Sequence, residues 1–530
     1  MPKQTNRWKL LAVRAALCAA TVVATWAADQ PQWGQRYSRN MVSEEKNLPD
    51  SFDPKTGQNI KWSVALGTST YSTPVVASGK VLIGTNNDDP RDPRNQGDRG
   101  VLMCFDEKDG KFCWQLAVPK ITTSVYWDWP RAGTCSTATV EGDRIYVVSN
   151  RGEVMCLDLH GMSNGNDGPF RDEGRHMVPP GQPPLEPSAT DGDILWLFDM
   201  VKDCGVRQHD SAHASILLHG RFLYVNTSNG VDDTHKGIAS PDAPSLIVLD
   251  KTTGRLVARD NEHIGPDIFH CTWSSPALGE VNGRPLVFFG GGNGVVYAFE
   301  AVGTGVLESR SNEVMNKSSS QHSTTPSLQS VPLLCKVWWF DCDPTAPKEN
   351  IHDYLRNREQ SPVNIYGMPV FHNGRVYVAV GGDMFWGKRQ AWLKCMDATK
   401  TGDITRSGAL WSYPLRQHTT STPAVHDGLV FIADCGKTIH CVDVATGAVC
   451  WTHETKSDIW AAPLVADGKL FIGTRRGEFV ILAATREKKL LATIDMGSPM
   501  HTSPVAANGV LYVATMNRLY AIQKSPAHSR

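Results

Sequence analysis

STPAVHDGLVFIADCGKTIHCVDVATGAVCW, residues Ser421 to Trp451, holds the pattern that decides the fold. Pro423 opens a short apolar run that stops at Asp427-Gly428, a pair that supplies the positive φ of a tight hairpin turn. LVFIA from Leu429 leaves that turn, IHCVD from Ile439 follows it, and a further turn at Thr446-Gly447 leads to a run carrying Trp451. Four antiparallel strands in succession are predicted. Proline cannot donate to a ladder, so Pro423 places the first strand at a sheet edge.

The same register recurs eight times. Gly79, Gly142, Gly220, Gly283, Gly374, Gly428, Gly468 and Gly509 each precede a strand-like run, and five of them follow Asn or Asp. Gly428, Gly468 and Gly509 stand 40 and 41 residues apart. That is the length of one propeller blade, and the longer separations hold insertions, chiefly 161–193 and 300–337. Pro74, Pro276, Pro369, Pro463 and Pro504 stand where Pro423 does. Trp114, Trp196, Trp338, Trp411 and Trp451 share a place in the fourth strand, which Ala258 and Ala492 take in two units. The eighth unit ends after its third strand, LYAIQ from Leu519, and the missing strand lies at the other end: IKWSVAL, Ile60 to Leu66, with Trp62 in the matching place. The expectation is an all-β chain, a single eight-bladed β-propeller of four-stranded antiparallel blades over residues 60–524. Its N-terminal strand completes the last blade and removes a long exposed edge. Residues 29–59 are then an N-terminal extension and 525–530 a tail.

The chain has 530 residues, a length that alone suggests three or four domains; the repeats reduce these to one. With 53 Lys plus Arg against 54 Asp plus Glu, it lacks the positive surplus of a nucleic-acid binder, and 41% hydrophobic residues exclude a disordered chain. Lys3, Arg7, Lys9 and Arg14 precede an apolar run from Ala15 to Ala28, the layout of a secretory signal peptide over residues 1–28. The run is too short to span a bilayer, and Leu17 ahead of Cys18 is too bulky for lipoprotein cleavage. These features predict a monomeric periplasmic or extracellular propeller that does not span the membrane.

CFDEKDGKFCW, Cys104 to Trp114, and CVDVATGAVCW, Cys441 to Trp451, resemble the PQQ-type propeller repeat, in which a small residue, an Asp, a Thr-Gly turn and a Trp dock neighbouring blades. The resemblance covers residues 60 to 523 and implies that Trp62, Trp114, Trp196, Trp338, Trp411 and Trp451 dock blades. In fold the chain is similar to quinoprotein alcohol dehydrogenases, and in repeat style to the propeller subunit of the outer-membrane protein assembly machinery. The first similarity implies PQQ, a calcium ion, a catalytic Asp and two adjacent cysteines; no two cysteines are adjacent in this sequence. Two functions follow as expectations. One is a non-catalytic binding or interaction scaffold for a protein partner or a small polar ligand. The other is a PQQ-dependent oxidoreductase with an altered site, in which Asp210 or Asp458 is the general base and His270 or His418 a ligand or proton carrier.

The innermost strands start at a channel rim that carries Tyr71, His213, His270, Trp273, Tyr366, His418, Trp460 and His501 beside Asp210 and Asp458. These side chains either converge to bind a polar aromatic ligand or a metal, or cap backbone around a water-filled channel. Arg151, Lys437, Arg475 and Arg476 on the same face are anion ligands or solvated loop tips. Oxygen donors gather in two insertions, Asn164, Asn166, Asp167, Asp172 and Glu173 in one, and Asn86, Asn87, Asp88, Asp89 and Asp92 in the other. Calcium takes such donors, and the same residue types also form turns. Cys104 and Cys113, like Cys441 and Cys450, are nine residues apart across a hairpin. With Asp106 opposite Lys111 and Asp443 opposite Ala448, each cysteine would face its mate within reach of a disulfide. The alternative is a set of small buried hydrophobes. Cys335 and Cys342 form a third possible pair.

Overall fold

The computed structural model describes residues 28–303 and 328–525. The expected leader before Ala28, most of the 300–337 insertion and the tail after Ser525 lie outside the described residues. Eight antiparallel sheets of four strands follow one another, seven of them running from inside to outside in chain order and the last taking its outer strand from the N-terminal side, and two of them gain a short parallel strand at one edge. The innermost strands are Val75–Ala77, Thr139–Glu141, Leu217–His219, Ala277–Val281, Val370–His372, Ala424–His426, Leu464–Ala466 and Val505–Ala507. Asp427 and Gly428 both have positive φ, 46° and 75°, and His426 pairs with Leu429 across them, the two-residue hairpin that the sequence predicts. In the last blade Ile60–Ala65 pairs with Arg518–Ile522, with Trp62 opposite Ala521. The ring is closed by an N-terminal strand.

Eight apolar clusters fill the ring, one between each pair of neighbouring blades. The indoles belong to these layers. Trp62, Trp114, Trp196, Trp338, Trp411 and Trp451 each donate Nε1–H to a backbone carbonyl of the next blade, those of Glu107, Leu159, Lys251, Ala398, Val444 and Thr485, at 2.9–3.2 Å. The turn glycine of the next blade makes room for the ring: at Gly447, φ +73°, a Cβ would stand 2.8 Å from Trp411. A buried indole of this kind contributes about 3–5 kcal/mol relative to alanine.

In every blade the pairing of third and fourth strands slips by one residue beside the docking position. This bulge corrects the expected cysteine register. Phe105 pairs with Phe112 but Cys104 with Trp114, so Cys113 is the extra residue; Cys450 is skipped in the same way between Val449 and Trp451. Cys104, Cys113, Cys441 and Cys450 are unbonded, as are Cys335 and Cys342.

Residues 28–46 run along the inner edges of the innermost strands. Gln30 O accepts from Val76 N, Pro31 O from Val140 N, Tyr37 O from Leu278 N and Ser38 O from Phe371 N, at 2.8–3.1 Å. Asn40 exchanges two bonds of 2.8 Å with Val425, and Val42–Ser43 runs parallel to Val465–Ala466. Ser43 donates to Ala506 O, and Arg39, fully buried, donates to the carbonyls of Ser215 and Ile216. Seven inner strands are thereby engaged from inside, and the third blade is held at the two carbonyls just ahead of its inner strand. Burial without a carboxylate partner lowers the Arg39 pKa to about 9. Among the described residues no helix is long and apolar enough to cross a membrane.

Candidate functional site

The N-terminal segment pairs along the inner edges of the inner strands; the segments that lead into these strands enclose a cavity of about 340 Å³. Tyr71, Asp210, His213, His270, Trp273, Trp460 and Arg475 line it. Beneath lies a smaller space of about 70 Å³ lined by Tyr366 and His501, with Trp33 of the N-terminal segment also on its wall. The structure thus brings seven of the eight predicted rim side chains to two adjoining cavities. His418 lines neither, and Asp458 turns instead to Arg475 at 2.9 Å. Of the four basic loop residues only Arg475 reaches the cavity, its guanidinium 4.3 Å from the Trp460 ring centroid. Arg151 is held by the Pro119 carbonyl at 2.9 Å.

Several participants escape a reading of the repeats. Tyr126 and Trp129, from the loop between the first two blades, wall the cavity with Phe385 and Trp386 from the fifth blade. His209 lies behind Asp210, and His235 comes from the loop after the second strand of the third blade. The rings of His209, His235 and His270 have centroids 4.7–5.4 Å apart. Backbone tension accompanies them: Asp210, Ser211 and His235 all adopt positive φ, 55°, 72° and 60°. Non-glycine residues rarely hold this conformation unless the surroundings enforce it.

Electrostatically the mouth is built around buried charge. His270 Nδ1 is 2.9 Å from Asp383 Oδ2, to which Tyr366 also donates its hydroxyl, while Asp383 Oδ1 accepts from the amides of Phe385 and Trp386 at 2.8 and 2.6 Å. Burial opposes ionisation of Asp383, yet His270 and these donors hold its pKa at about 2. Burial also disfavours the His270 cation, but Asp383 overrides it and raises the imidazole pKa well above its ordinary value. Burial raises Asp210 to about 6 and lowers His213 to about 4. Both changes favour neutral side chains.

The other expected sites are tied up locally. Asn166 binds Glu173 at 2.9 Å and takes a bond from Arg171, and Asp167 Oδ2 accepts from Asn164 at 3.4 Å. Asp88 accepts from Thr68 and Asp92 pairs with Arg94, at 2.9 and 2.6 Å. Several oxygens of both clusters are thus directed at protein donors, although Glu173 Oε1 is buried without one. A groove of about 410 Å³ beside Arg91 and Arg94 is similarly spent, because Arg94 bridges Asp92 and Asp191.

The channel mouth does not fit a quinone–calcium centre. Calcium takes six to eight oxygens, whereas the groups that face one another here are imidazole nitrogens, and Asp383 is fully engaged. The vicinal cysteines that would press on a quinone are absent from the sequence.

None of the curated proteins compared with the chain matches it. Among solved structures, BamB from Moraxella catarrhalis is similar at 12% identity and a TM-score of 0.49, over 88% of this chain and 97% of that one. A europium-containing methanol dehydrogenase is similar at 12% identity and 0.47, over 94% and 98%. Quinohemoprotein alcohol dehydrogenase from Comamonas testosteroni gives 11% and 0.46, over 95% and 82%. The family described as outer membrane protein assembly factor BamB matches residues 46–330 and 394–485, more than half of the chain, and the chain belongs to that family.

Proposed function

We propose that this propeller acts in the periplasm or outside the cell as a binding protein, and that it takes a small planar ligand bearing an acidic group at its channel mouth. The observation that carries this reading is the cavity itself, walled by Tyr71, Tyr126, Trp129, Trp273, Trp386 and Trp460, with Arg475 among them. Aromatic faces supply contact area at small entropic cost, and the Arg475 guanidinium, whose Nη1 goes to Asp458 and Nε to His501, has Nη2 left as a directional donor for a carboxylate. A cavity of about 340 Å³ suits a small molecule rather than a folded partner.

Titrating a panel of aromatic carboxylates, PQQ included, into the full chain in the presence of a chelator tests the reading. Saturable quenching of tryptophan fluorescence is expected for at least one member, weakened about tenfold or more by Arg475→Ala and by Trp460→Ala. Absence of saturable quenching across the panel rejects it. Dye-linked alcohol oxidation with PQQ and calcium would instead favour the oxidoreductase. The interaction-scaffold reading draws on a separate observation, the exposed Ile121, Val125, Trp129 and Phe385, two of which line this mouth.

A further inference from the structure

His209, His235 and His270 arrive at one point from three loops. One ligand nitrogen from each lies within 4.8 Å of the other two, and all three residues are buried. The Nε2 atom of every one of them is buried without a hydrogen-bond partner, as is Asp210 Oδ1. Asp210 Oδ2 stands 3.8 Å from His209 Nε2 and 3.6 Å from His270 Nε2. Three imidazole nitrogens and one carboxylate therefore share a small volume from which other protein donors are missing.

Packing alone does not call for this arrangement. His440 satisfies both ring nitrogens, with Tyr413 at 3.0 Å and Asp434 at 2.9 Å, and although His176, His418 and His501 each leave one nitrogen unpartnered, it is His209, His235 and His270 whose ligand nitrogens converge. Here two of the three rings are supported by a hydrogen bond on the opposite edge. His209 Nδ1 is 2.8 Å from Val231 O and His270 Nδ1 is 2.9 Å from Asp383, while the His235 ring is packed between those of Tyr126 and Trp386, at centroid distances of 4.5 and 4.9 Å. A second partner that fixes ring orientation and leaves the other nitrogen free is the outer shell typical of a metal-bound histidine. The left-handed backbone at Asp210, Ser211 and His235 is a cost borne at the same place.

We infer that His209, His235, His270 and Asp210 form a binding site for one divalent first-row transition-metal ion of the zinc class. The donor set selects the class: imidazole with a single carboxylate suits zinc and its neighbours, whereas calcium and magnesium require a shell of oxygens. Ligand atoms of a tetrahedral zinc site are closer together than 4.8 Å, given bonds of about 2.0–2.2 Å, so binding draws the rings inward. Asp210, His235 and His270 also line the aromatic cavity, which leaves the ion reachable from it. Asp383 is a positioning residue, acting through His270. The inference stands apart from the planar-ligand reading, because it needs no organic ligand.

The test uses the untagged full chain, stripped with chelator. Zn²⁺ is titrated by calorimetry, and Co²⁺ serves as a reporter whose visible bands reveal low-coordinate nitrogen ligation. One equivalent is expected, with affinity falling at least 100-fold in His270→Gln and His235→Gln and about 10-fold or more in Asp383→Asn. His160→Gln, on the outer surface, leaves the affinity unchanged. His235→Gln alters a loop outside the sheets, and the cobalt spectrum of the unaltered protein is informative even where a variant fails to fold. No stoichiometric uptake by the unaltered chain, or a cobalt spectrum indifferent to His235→Gln, overturns the site. Either result leaves the fluorescence titration with aromatic carboxylates unaffected, since that is run metal-free.

Discussion

His501 shows how far one side chain at the channel mouth is constrained. Arg475 Nε donates to its Nε2 at 3.4 Å, a bond that only the neutral ring accepts. Burial and then the nearby guanidinium push its pKa down to about 3, whereas the unfolded ring takes a proton near about 6.5. Between those values the unfolded chain binds the extra proton, so stability rises with pH across the window and is lost as pH falls through it. His501→Gln keeps an acceptor in place and cannot titrate. Its stability is expected to decline less than that of the unaltered protein between pH 7 and pH 4.5, by up to about 3 kcal/mol, in denaturant unfolding followed at both pH values. Equal declines would show that His501 is protonated without cost in the folded ring.

Among the elements, what the sequence reveals depends on whether a constraint repeats. Asp427-Gly428 and its counterparts must turn a chain with positive φ, and that requirement leaves a residue type at a fixed place eight times over. The docking tryptophans repeat for a similar reason, since each fills a layer between blades. The bulge beside them leaves no comparable mark: Cys113 and Cys450 look like partners of Cys104 and Cys441 until one residue is skipped. At the site, Tyr71, His213, Trp273 and Trp460 are legible as starts of inner strands, whereas His235, Trp386 and Asp383 stand in loops without periodicity and meet only once the ring closes. The N-terminal segment is opaque for the same reason, although the inner edges it pairs with need partners on physical grounds. Removing residues 1–46 spares the strand Ile60–Ala65 and takes these partners away. The amides of Val76, Val140, Leu278 and Phe371, bonded to this segment at 2.8–3.1 Å, are then expected to exchange hydrogen at least tenfold faster while blade cores stay protected. Unchanged exchange at those four amides would show that the segment does not stabilise the inner edges.

For the whole molecule, the decisive property is that no blade is terminal. Eight blades share eight apolar layers, so each has a neighbour on both sides, and the layer between the eighth and first blades depends on Trp62, contributed by the beginning of the chain. A chain starting at Thr68 lacks that indole and leaves Arg518–Ile522 as a bare outer edge, open to pairing with another molecule. It is expected to elute as aggregates. The defect lies in closure and not in chain order, and the geometry offers a way to separate the two. Asn59 accepts from Gln523 N at 2.9 Å and from Ser525 N at 3.0 Å, so the chain's end and the start of the closing strand already lie side by side. A permuted chain running from Thr68 to Ser525 and returning through a short turn into Asn59–Leu66 supplies the missing strand as an ordinary hairpin. It omits everything before Asn59, buried Leu48 and Phe52 included, so its proper reference is the chain lacking residues 1–58. Size-exclusion chromatography is expected to show a monomer, and its cooperative unfolding should match that reference within about 1 kcal/mol, since loop closure over a few residues changes stability only modestly. A monomeric, equally stable Thr68 truncation, or a permutant that aggregates as the truncation does, would show that the Trp62 strand is not what closes the ring.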